Sequence, residues 1–224
     1  MMNKLMLNLG CGSVRPTNWV NTDSSINAHL QRIPIIGKKL ASIINNISYS
    51  NNNLVYMNLN KKWKYKDNTV DIVYASHLFE HLSVKASILF LSEAYRCLKP
   101  GGIIRIVVPD LYQICKKYTI EYELNDSMDK NIDTTTFIMW AINMHREGQY
   151  KKLNLFKKLV LEIQGYPHQH KYMYDKNSLI LKLKNNNFHS FKNLSYGKSL
   201  YINNINEVEG QNESYLSIYI EAIK

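Results

Sequence analysis

The junction between the first strand-like segment and a glycine-rich turn limits the fold of this chain most. Residues 4 to 9 are mostly apolar with little alternation, and Gly10-Cys11-Gly12 follows at once. A short apolar run that ends in glycines is typical of a buried parallel strand followed by a tight loop. Because glycine has no side chain, such a loop lets the backbone approach a ligand closely. The N-terminal segment therefore predicts a parallel sheet with a ligand-binding loop after its first strand.

Further strand-like segments alternate with one clear helix. The additional strand candidates are residues 19 to 23, 54 to 59, 70 to 75, the apolar run 103 to 108, and the alternating tail 214 to 222. Ser83 is a typical N-cap for a helix with Ile88 and Leu91 on its apolar face, and Pro100-Gly101-Gly102 ends that helix. Strands that alternate with helices imply a parallel sheet covered on both faces. We predict an α/β fold with a doubly wound, mostly parallel, Rossmann-like sheet.

The 224 residues suit one domain, and the sequence contains no internal repeat or linker. Residues 111 to 165 have helical character and interrupt the strand pattern. We therefore predict a single domain, 1–224, with a core of residues 1–110 and 166–224. The helical insertion, 111–165, is expected to act as a lid.

The cysteines and the apolar runs of the sequence indicate the cellular compartment of the protein. Its three cysteines, Cys11, Cys97 and Cys115, lack the close pairing of a disulfide framework or a zinc knuckle and are expected to be small buried side chains. No apolar run reaches the roughly 20 residues of a membrane span, and the N-terminus lacks the pattern of a signal peptide. We expect a cytoplasmic chain. Its oligomeric state stays open.

The net charge of +10 raises the question of a nucleic-acid partner. The chain holds 26 Asn and 23 Lys but only 5 Arg, a composition typical of a genome rich in A and T. The densest lysine cluster, residues 61 to 66, alternates with Trp63 and Tyr65, which suits an exposed edge or loop as well as a binding stripe. We favour a solvated lysine surface over a nucleic-acid interface.

The glycine loop departs from the dinucleotide-binding pattern. In G-x-G-x-x-G the third glycine would fall at position 15, which is Arg15, and Pro16 follows instead of a helix. A nicotinamide or flavin site is therefore disfavoured. Asp23 ends the second strand, where a carboxylate can accept both hydroxyls of a ribose. Asn58 ends the third strand, where an amide can pair with an adenine edge.

The order of these features resembles the class I S-adenosylmethionine-dependent methyltransferases, in particular those with a type 11 methyltransferase domain. The matching stretches are LNLGCG, WVNTD, KDNTVDIVYASHLFEHL, EAYRCLKPGGIIRIVVPD and HKYMYDKNSLILKLKNNNF. The core of the resemblance covers residues 4 to 110, and a looser part covers 168 to 224. It is greatest to small bacterial methyltransferases encoded among cell-surface polysaccharide functions.

The resemblance implies S-adenosylmethionine as the cofactor and assigns its binding residues. Gly10, Cys11 and Gly12 would wrap the methionine end, Asp23 would hold the ribose, and Asn58 and Leu59 would flank the adenine. Ser76 and His77 would end the fourth strand close to the sulfonium. Asn8 stands where family members commonly carry an acid, and its amide oxygen can still accept a hydrogen bond from the methionine ammonium.

The motif His77-Leu78-Phe79-Glu80-His81 matches the inverted zinc-protease signature H-x-x-E-H. His77 follows directly on the apolar strand and so does not begin inside a helix, which disfavours a zinc hydrolase. We therefore predict no metal site. Glu80 and His81 are expected to hydrogen-bond to backbone at a strand-to-helix junction.

The resemblance also implies methyl transfer, and a hydroxyl acceptor would need a base. His77, His170 and Asp110 are the candidates, since histidine suits proton transfer near neutral pH. Asp175 is expected to cap a helix over residues 176 to 184. The predicted reaction is methylation of a small polar acceptor, a hydroxyl of a sugar or cell-surface glycan precursor. An RNA methyltransferase and a non-catalytic S-adenosylmethionine-binding subunit remain alternatives.

Overall fold

Seven strands form one sheet in the computed structural model, which describes residues 4–24, 54–124, 134–142, 169–209 and 216–224. The strands are β1 (Met6–Leu9), β2 (Val20–Asp23), β3 (Leu54–Tyr56), β4 (Val70–Ser76), β5 (Leu98–Pro109), β6 (His189–Leu194) and β7 (Ser217–Ile223). Their order across the sheet is β3-β2-β1-β4-β5-β7-β6. β1 to β5 pair in parallel, and β7 is antiparallel to both β5 and β6. The predicted doubly wound, mostly parallel sheet is confirmed.

The described helices are α1 (Val84–Cys97), α2 (Leu111–Leu124), α3 (Thr134–Ala141), α4 (Lys176–Lys184) and the short α5 (Asn206–Glu209). Both predicted caps are confirmed. The Ser83 side chain accepts a hydrogen bond from the Ala86 N–H, and Asp175 forms a capping box with Ser178. These caps satisfy N–H groups that the first turn of a helix leaves unpaired.

The sheet is buried on both faces, as the apolar strands predict. One face packs a large core against α1 and α4 that includes Leu7, Val73, Phe90, Ile104 and Leu179. The other face packs a smaller cluster against residues 201–208 that includes Trp19, Tyr74, Ile202, Val208 and Tyr219.

The predicted apolar face of α1 is wrong at Ile88, which is 53% exposed. Leu91, the other residue predicted on that face, is buried together with Phe90 and Ala94, so the buried stripe is rotated around the helix. The helix also ends at Cys97, and Pro100-Gly101-Gly102 lies within β5. Periodicity alone did not distinguish these two neighbouring stripes.

The alternation along the last strand does not give one exposed face, because core side chains cover both faces of β7. Glu221 is fully buried, and Tyr219 is 6% exposed. Glu221 pairs with Arg105, a charged residue within the run 103 to 108 that we had predicted to be entirely apolar. Glu209 pairs with the same guanidinium, so each of these buried charges has a partner.

The insertion after β5 begins with α2 and continues with α3, which lies against it. Residues 125–133 and 143–165 of the predicted lid lie outside the described residues, as do residues 166–168 of the predicted core. Cys115 on α2 is exposed, which corrects the prediction that all three cysteines are buried. The lid function of residues 111–165 stays a prediction.

Among the described helices, none has the length and apolar character that crossing a membrane would require.

Candidate active site

The sheet changes its direction of winding between β1 and β4, which pair at its centre. From β1 the chain continues to β2 and β3 on one side, and from β4 it continues to β5 on the other. In doubly wound sheets such a point leaves a crevice outside the carboxyl ends of the strands, where ligands bind. The loops that follow β1 and β4 therefore border the candidate site.

The glycine loop after β1 needs glycine at two positions. Gly10 (φ +65°) and Gly12 (φ +51°) both have the left-handed backbone conformation that side chains disfavour. A Cβ atom at Gly10 would also lie 2.9 Å from the Leu78 side chain, which belongs to the loop after β4. A Cβ atom at Gly12 would meet no atom within 4 Å. The loop therefore packs against the second loop at Gly10 and faces open space at Gly12.

Cys11 between these glycines is 7% exposed, and its N–H donates to the Thr22 carbonyl at 2.9 Å. Burial raises the pKa of the Cys11 thiol to about 11, with the Asp23 carboxylate acting in the same direction. The thiol is therefore protonated near neutral pH and acts as a small packed side chain, not as a nucleophile.

The buried side chain of Asn8 holds this loop through hydrogen bonds. Its side chain is 2% exposed, and its Nδ2 donates to the Val14 carbonyl and to Asn21 Oδ1, both at 2.9 Å. Asn21 in turn donates to the Pro16 carbonyl at 2.9 Å. An acid at position 8 could not donate these bonds, so the amide accounts for the departure from the family pattern.

Asp23 ends β2 beside the glycine loop, as predicted. Its Oδ2 accepts a hydrogen bond from the Gly12 N–H at 3.3 Å. The contact brings a carboxylate next to the part of the loop that faces open space.

The end of β3 differs in detail from the prediction. The strand ends at Tyr56, two residues before Asn58. Asn58 Oδ1 accepts a hydrogen bond from the Asn60 N–H at 2.9 Å and so closes a local turn. Leu59 is 6% exposed and lies in the large core.

β4 ends at Ser76, and His77 begins the second loop with φ +48°. A left-handed conformation at a residue other than glycine is strained and is common at functional sites. The His77 N–H donates to the Val107 carbonyl at 2.9 Å, which fixes the backbone. The imidazole is 41% exposed, with Nδ1 at 3.3 Å from Glu80 Oε1 and Nε2 at 3.4 Å from Ser217 Oγ.

Glu80 is fully buried, and it is the residue of this site that the sequence analysis missed. We had predicted that it hydrogen-bonds to backbone through its side chain, but neither carboxylate oxygen has a hydrogen-bond partner among the described residues. Instead, Oε1 faces two imidazoles, His77 Nδ1 at 3.3 Å and His170 Nε2 at 3.9 Å. The H-x-x-E-H motif contained the signal, since it places a glutamate between two histidines.

His170 reaches this site from a distant part of the chain. The Glu80 carbonyl accepts hydrogen bonds from the Lys171 and Tyr172 N–H groups at 2.8 and 3.2 Å, which hold the segment in place. Burial lowers the pKa of His170, against the opposing effect of the Glu80 carboxylate. His81 Nδ1 lies 3.0 Å from the Gln169 carbonyl, so the predicted backbone contact of His81 is confirmed.

Asp110 follows β5 and caps α2. Its Oδ1 accepts hydrogen bonds from the Tyr112 and Gln113 N–H groups at 3.0 and 3.3 Å. Burial raises the pKa of its carboxyl group, and these backbone donors oppose the effect. A parallel bridge to Tyr174 connects it to the segment that carries His170.

Of the predicted site residues, the structure brings together His77 and His170, with Glu80 between them. Leu78, in the loop that carries His77 and Glu80, packs against Gly10 of the glycine loop. The Asp23 carboxylate lies beside Gly12 of the same glycine loop. Asp110 is adjacent in the fold but engaged at a helix terminus.

Comparisons with known proteins concern the family of this domain and its fold. Residues 7–106 match a family described as "Methyltransferase domain" (Methyltransf_11). An S-adenosylmethionine-dependent methyltransferase from Methanosarcina mazei has 14% identity and a TM-score of 0.52, over 100% of this chain and 94% of its own. At this identity the likeness concerns the fold.

Two further structures score slightly lower. An S-adenosylmethionine-dependent methyltransferase from Archaeoglobus fulgidus has 15% identity and a TM-score of 0.49, over 99% of this chain and 86% of its own. A third, from Thermotoga maritima, has 13% identity and a TM-score of 0.48, over 98% and 82%. No protein of curated function matches the sequence.

Proposed function

Since residues 7–106 form a class I S-adenosylmethionine-dependent methyltransferase domain of type 11, we propose that the chain methylates a hydroxyl of a small polar acceptor, a sugar or cell-surface glycan precursor. S-adenosylmethionine is the cofactor. The hydroxyl acceptor and the residue roles below are the proposal.

The residues at the ends of β1 and β2 suit this cofactor. The backbone at Gly10, Cys11 and Gly12 would hold its methionine end, because Gly12 faces open space without a side chain. Asp23 would accept its ribose hydroxyls, and Asn58 and Leu59 would border its adenine. When bound, the cofactor supplies a methyl group on a positively charged sulfur. The protein mainly has to align the acceptor with that group.

The observation that carries the proposal is the His77 imidazole against the buried Glu80 carboxylate at 3.3 Å. A hydroxyl is a weak nucleophile until a base accepts its proton, whereas a neutral amine needs no such base. The negative charge of Glu80 beside Nδ1 of His77 would stabilise the imidazolium that forms, as the carboxylate of a catalytic triad does.

Nε2 of His77 is then the atom that takes the proton. Ser217 Oγ lies 3.4 Å from it, so this nitrogen is within hydrogen-bonding reach of one hydroxyl of the chain itself. His170 is more enclosed, with a side chain 10% exposed against 41% for His77. We therefore assign the proton acceptor to His77 and keep His170 for the inference below. The sugar class of the acceptor is supported by the family resemblance.

The proposal is tested by supplying S-adenosylmethionine with a labelled methyl group to nucleotide sugars and saccharide precursors, amines of similar size, and RNA. We expect label on a saccharide hydroxyl. His77→Gln should lower kcat by about 10²-fold or more, the range for a lost general base. His189→Gln, at an exposed histidine on β6, is the matched control and should leave the rate unchanged.

Label on an amine alone would overturn the hydroxyl assignment, and label on RNA alone would overturn the assignment of a small acceptor. Cofactor binding without any transfer would support the non-catalytic subunit instead. The positive charge of the chain makes the RNA arm necessary.

A further inference from the structure

The buried carboxylate of Glu80 lacks the hydrogen-bond donors that would stabilise its negative charge. The carboxylate is 0% exposed, and neither oxygen has a hydrogen-bond partner among the described residues. A buried carboxylate without such donors is unfavourable unless a cation faces it. Arg and Lys side chains form no ion pair with it in the described part of the chain; its ion-pair contacts there are His77 and His170.

A second histidine, His81, lies close to Glu80 and His170. One ligand atom each of Glu80, His81 and His170 lies within 4.8 Å of the others, and the rings of His81 and His170 are 5.0 Å apart and edge to face. Nδ1 of His170 is buried, and the Ile142 backbone is a hydrogen-bond partner of this ring. Three side chains that can act as metal ligands thus converge.

The contact of His81 Nδ1 with the Gln169 carbonyl, at 3.0 Å, fixes the orientation of the His81 ring. If Nδ1 carries the proton and donates it to this carbonyl, Nε2 is left with a free lone pair. Metal-binding histidines almost always donate their second ring nitrogen in this way.

We propose that Glu80, His81 and His170 bind one divalent transition-metal cation, with Zn²⁺ as the representative ion. Two imidazoles and one carboxylate are a ligand set of catalytic zinc sites and of other first-row metals, whereas Mg²⁺ and Ca²⁺ prefer oxygen ligands. Three protein ligands leave a coordination position that a water or a hydroxyl can fill.

The tertiary structure selects a different set from the one the H-x-x-E-H motif suggests. The motif would pair His77 and His81 as ligands four residues apart on one helix. His77 instead lies outside the 3₁₀ helix Phe79–His81. The third ligand, His170, comes from a segment 90 positions away from Glu80 in the sequence, outside the motif.

The site rests on its own geometry, and only its role in catalysis rests on the proposed function. A bound cation lowers the pKa of a coordinated hydroxyl. In that role the cation would make the acceptor hydroxyl easier for His77 to deprotonate.

The test is a titration of the whole chain, stripped with a chelator, with Zn²⁺, Co²⁺ and Mg²⁺ separately. We expect one equivalent of Zn²⁺ by elemental analysis after dialysis, and thermal stabilisation by Zn²⁺ but not by Mg²⁺. Co²⁺ should give visible absorption bands that excess Zn²⁺ removes.

Glu80→Gln and His170→Ala should each weaken Zn²⁺ binding by more than about tenfold, the scale already seen for outer-shell partners of metal ligands. His189→Ala and Cys115→Ser are matched controls at exposed ligand-type residues and should change nothing. The Co²⁺ spectrum of the unchanged chain keeps the test valid if a variant does not fold.

Zinc content well below one equivalent together with no Co²⁺ bands would overturn the site and leave a protonated imidazole as the counter-charge of Glu80. The same holds if Glu80→Gln binds Zn²⁺ as tightly as the parent. Metal binding is measured without an acceptor, so its failure is distinguishable from failure of methyl transfer in the labelling assay.

Discussion

Single residues at the strand ends decide what the crevice can hold. The Gly12 N–H and the Asp23 carboxylate meet at 3.3 Å, so the loop that faces open space carries a negative charge at its side. Asn8 holds that loop from the interior through two donated hydrogen bonds. The loop geometry therefore depends on short polar side chains, each at one position along β1 or β2.

At this scale we predict that Asp23→Ala weakens S-adenosylmethionine binding by about 1–3 kcal/mol, because a charge-assisted hydrogen bond to the ribose is lost. Isothermal titration calorimetry with the cofactor and with its demethylated product measures the change. The variant should stay folded by circular dichroism. Asp67→Ala, at a 68% exposed carboxylate before β4, is the control. Unchanged affinity for Asp23→Ala would mean that the ribose lies elsewhere.

Among the elements, α1 does more than cover the sheet. Arg96 in its last turn donates to Glu93 at 2.6 Å and to the carbonyls of Trp63 and Tyr65 at 3.2 and 3.0 Å. Glu93 accepts from the Trp63 N–H at 2.7 Å. Two residues of one helix thus hold the loop of residues 61–66, whose lysines are exposed while Trp63 is 3% exposed. Lysines and aromatic residues alternate in that loop because the lysines face solvent, whereas Trp63 is buried and Tyr65 is half-buried.

Acid should weaken this connection. Hydrogen bonds from Arg96 hold the pKa of Glu93 below its ordinary value of 4.5, against the opposing effect of burial. A carboxyl group that binds protons less tightly when folded contributes stability above its unfolded pKa and loses it as pH falls through the folded value. We expect the free energy of unfolding to fall below pH 4.5, and Glu93→Gln to lower it at pH 7 by about 1–3 kcal/mol.

Urea unfolding at a series of pH values measures both effects. Glu93→Gln should show a smaller loss in acid than the parent. Glu123→Gln, at an exposed glutamate on α2, serves as the matched control and should follow the parent curve. Parallel curves for the parent and Glu93→Gln would refute the assignment.

At the scale of the whole molecule, a buried ion cluster connects β5 with α5 and β7. Arg105 on β5 is fully buried between Glu209 of α5 and Glu221 of β7, with contacts at 2.5 and 3.0 Å. Glu209 also accepts from the Gly197 N–H at 2.7 Å, and Glu221 from the Ser199 hydroxyl. The segment that covers the second face of the sheet is therefore attached through charges as well as through apolar packing.

Arg105→Met should destabilise the protein by about 3–5 kcal/mol, since it leaves two buried carboxylates without a cation. Chemical denaturation measures the loss. Lys192→Met, at an exposed lysine on β6, should change stability by less than about 0.5 kcal/mol. Adding Glu209→Gln and Glu221→Gln to Arg105→Met should recover part of the loss. A loss below about 1 kcal/mol for Arg105→Met would show that the cluster is not needed.

The sequence by itself determined the features whose causes lie within a few residues. The apolar run before Gly10 specifies β1 and its loop, and Ser83 and Asp175 cap α1 and α4 through their own first turns. Carboxyl ends of parallel strands meet at one edge of a sheet, so Asp23 and His77 could be predicted to share a cleft. Periodicity and capping are local signals, and they were sufficient for these elements.

Only the tertiary structure decided which distant residues meet. Arg105 and Glu221 are 116 positions apart, and Glu80 and His170 are 90 apart. Core packing on both sides of the sheet buries both faces of β7, although its residues alternate in character along the strand. The reason is physical: a buried charge is stable only beside a partner, and the partner is provided by the packing of the sheet, which no local pattern records.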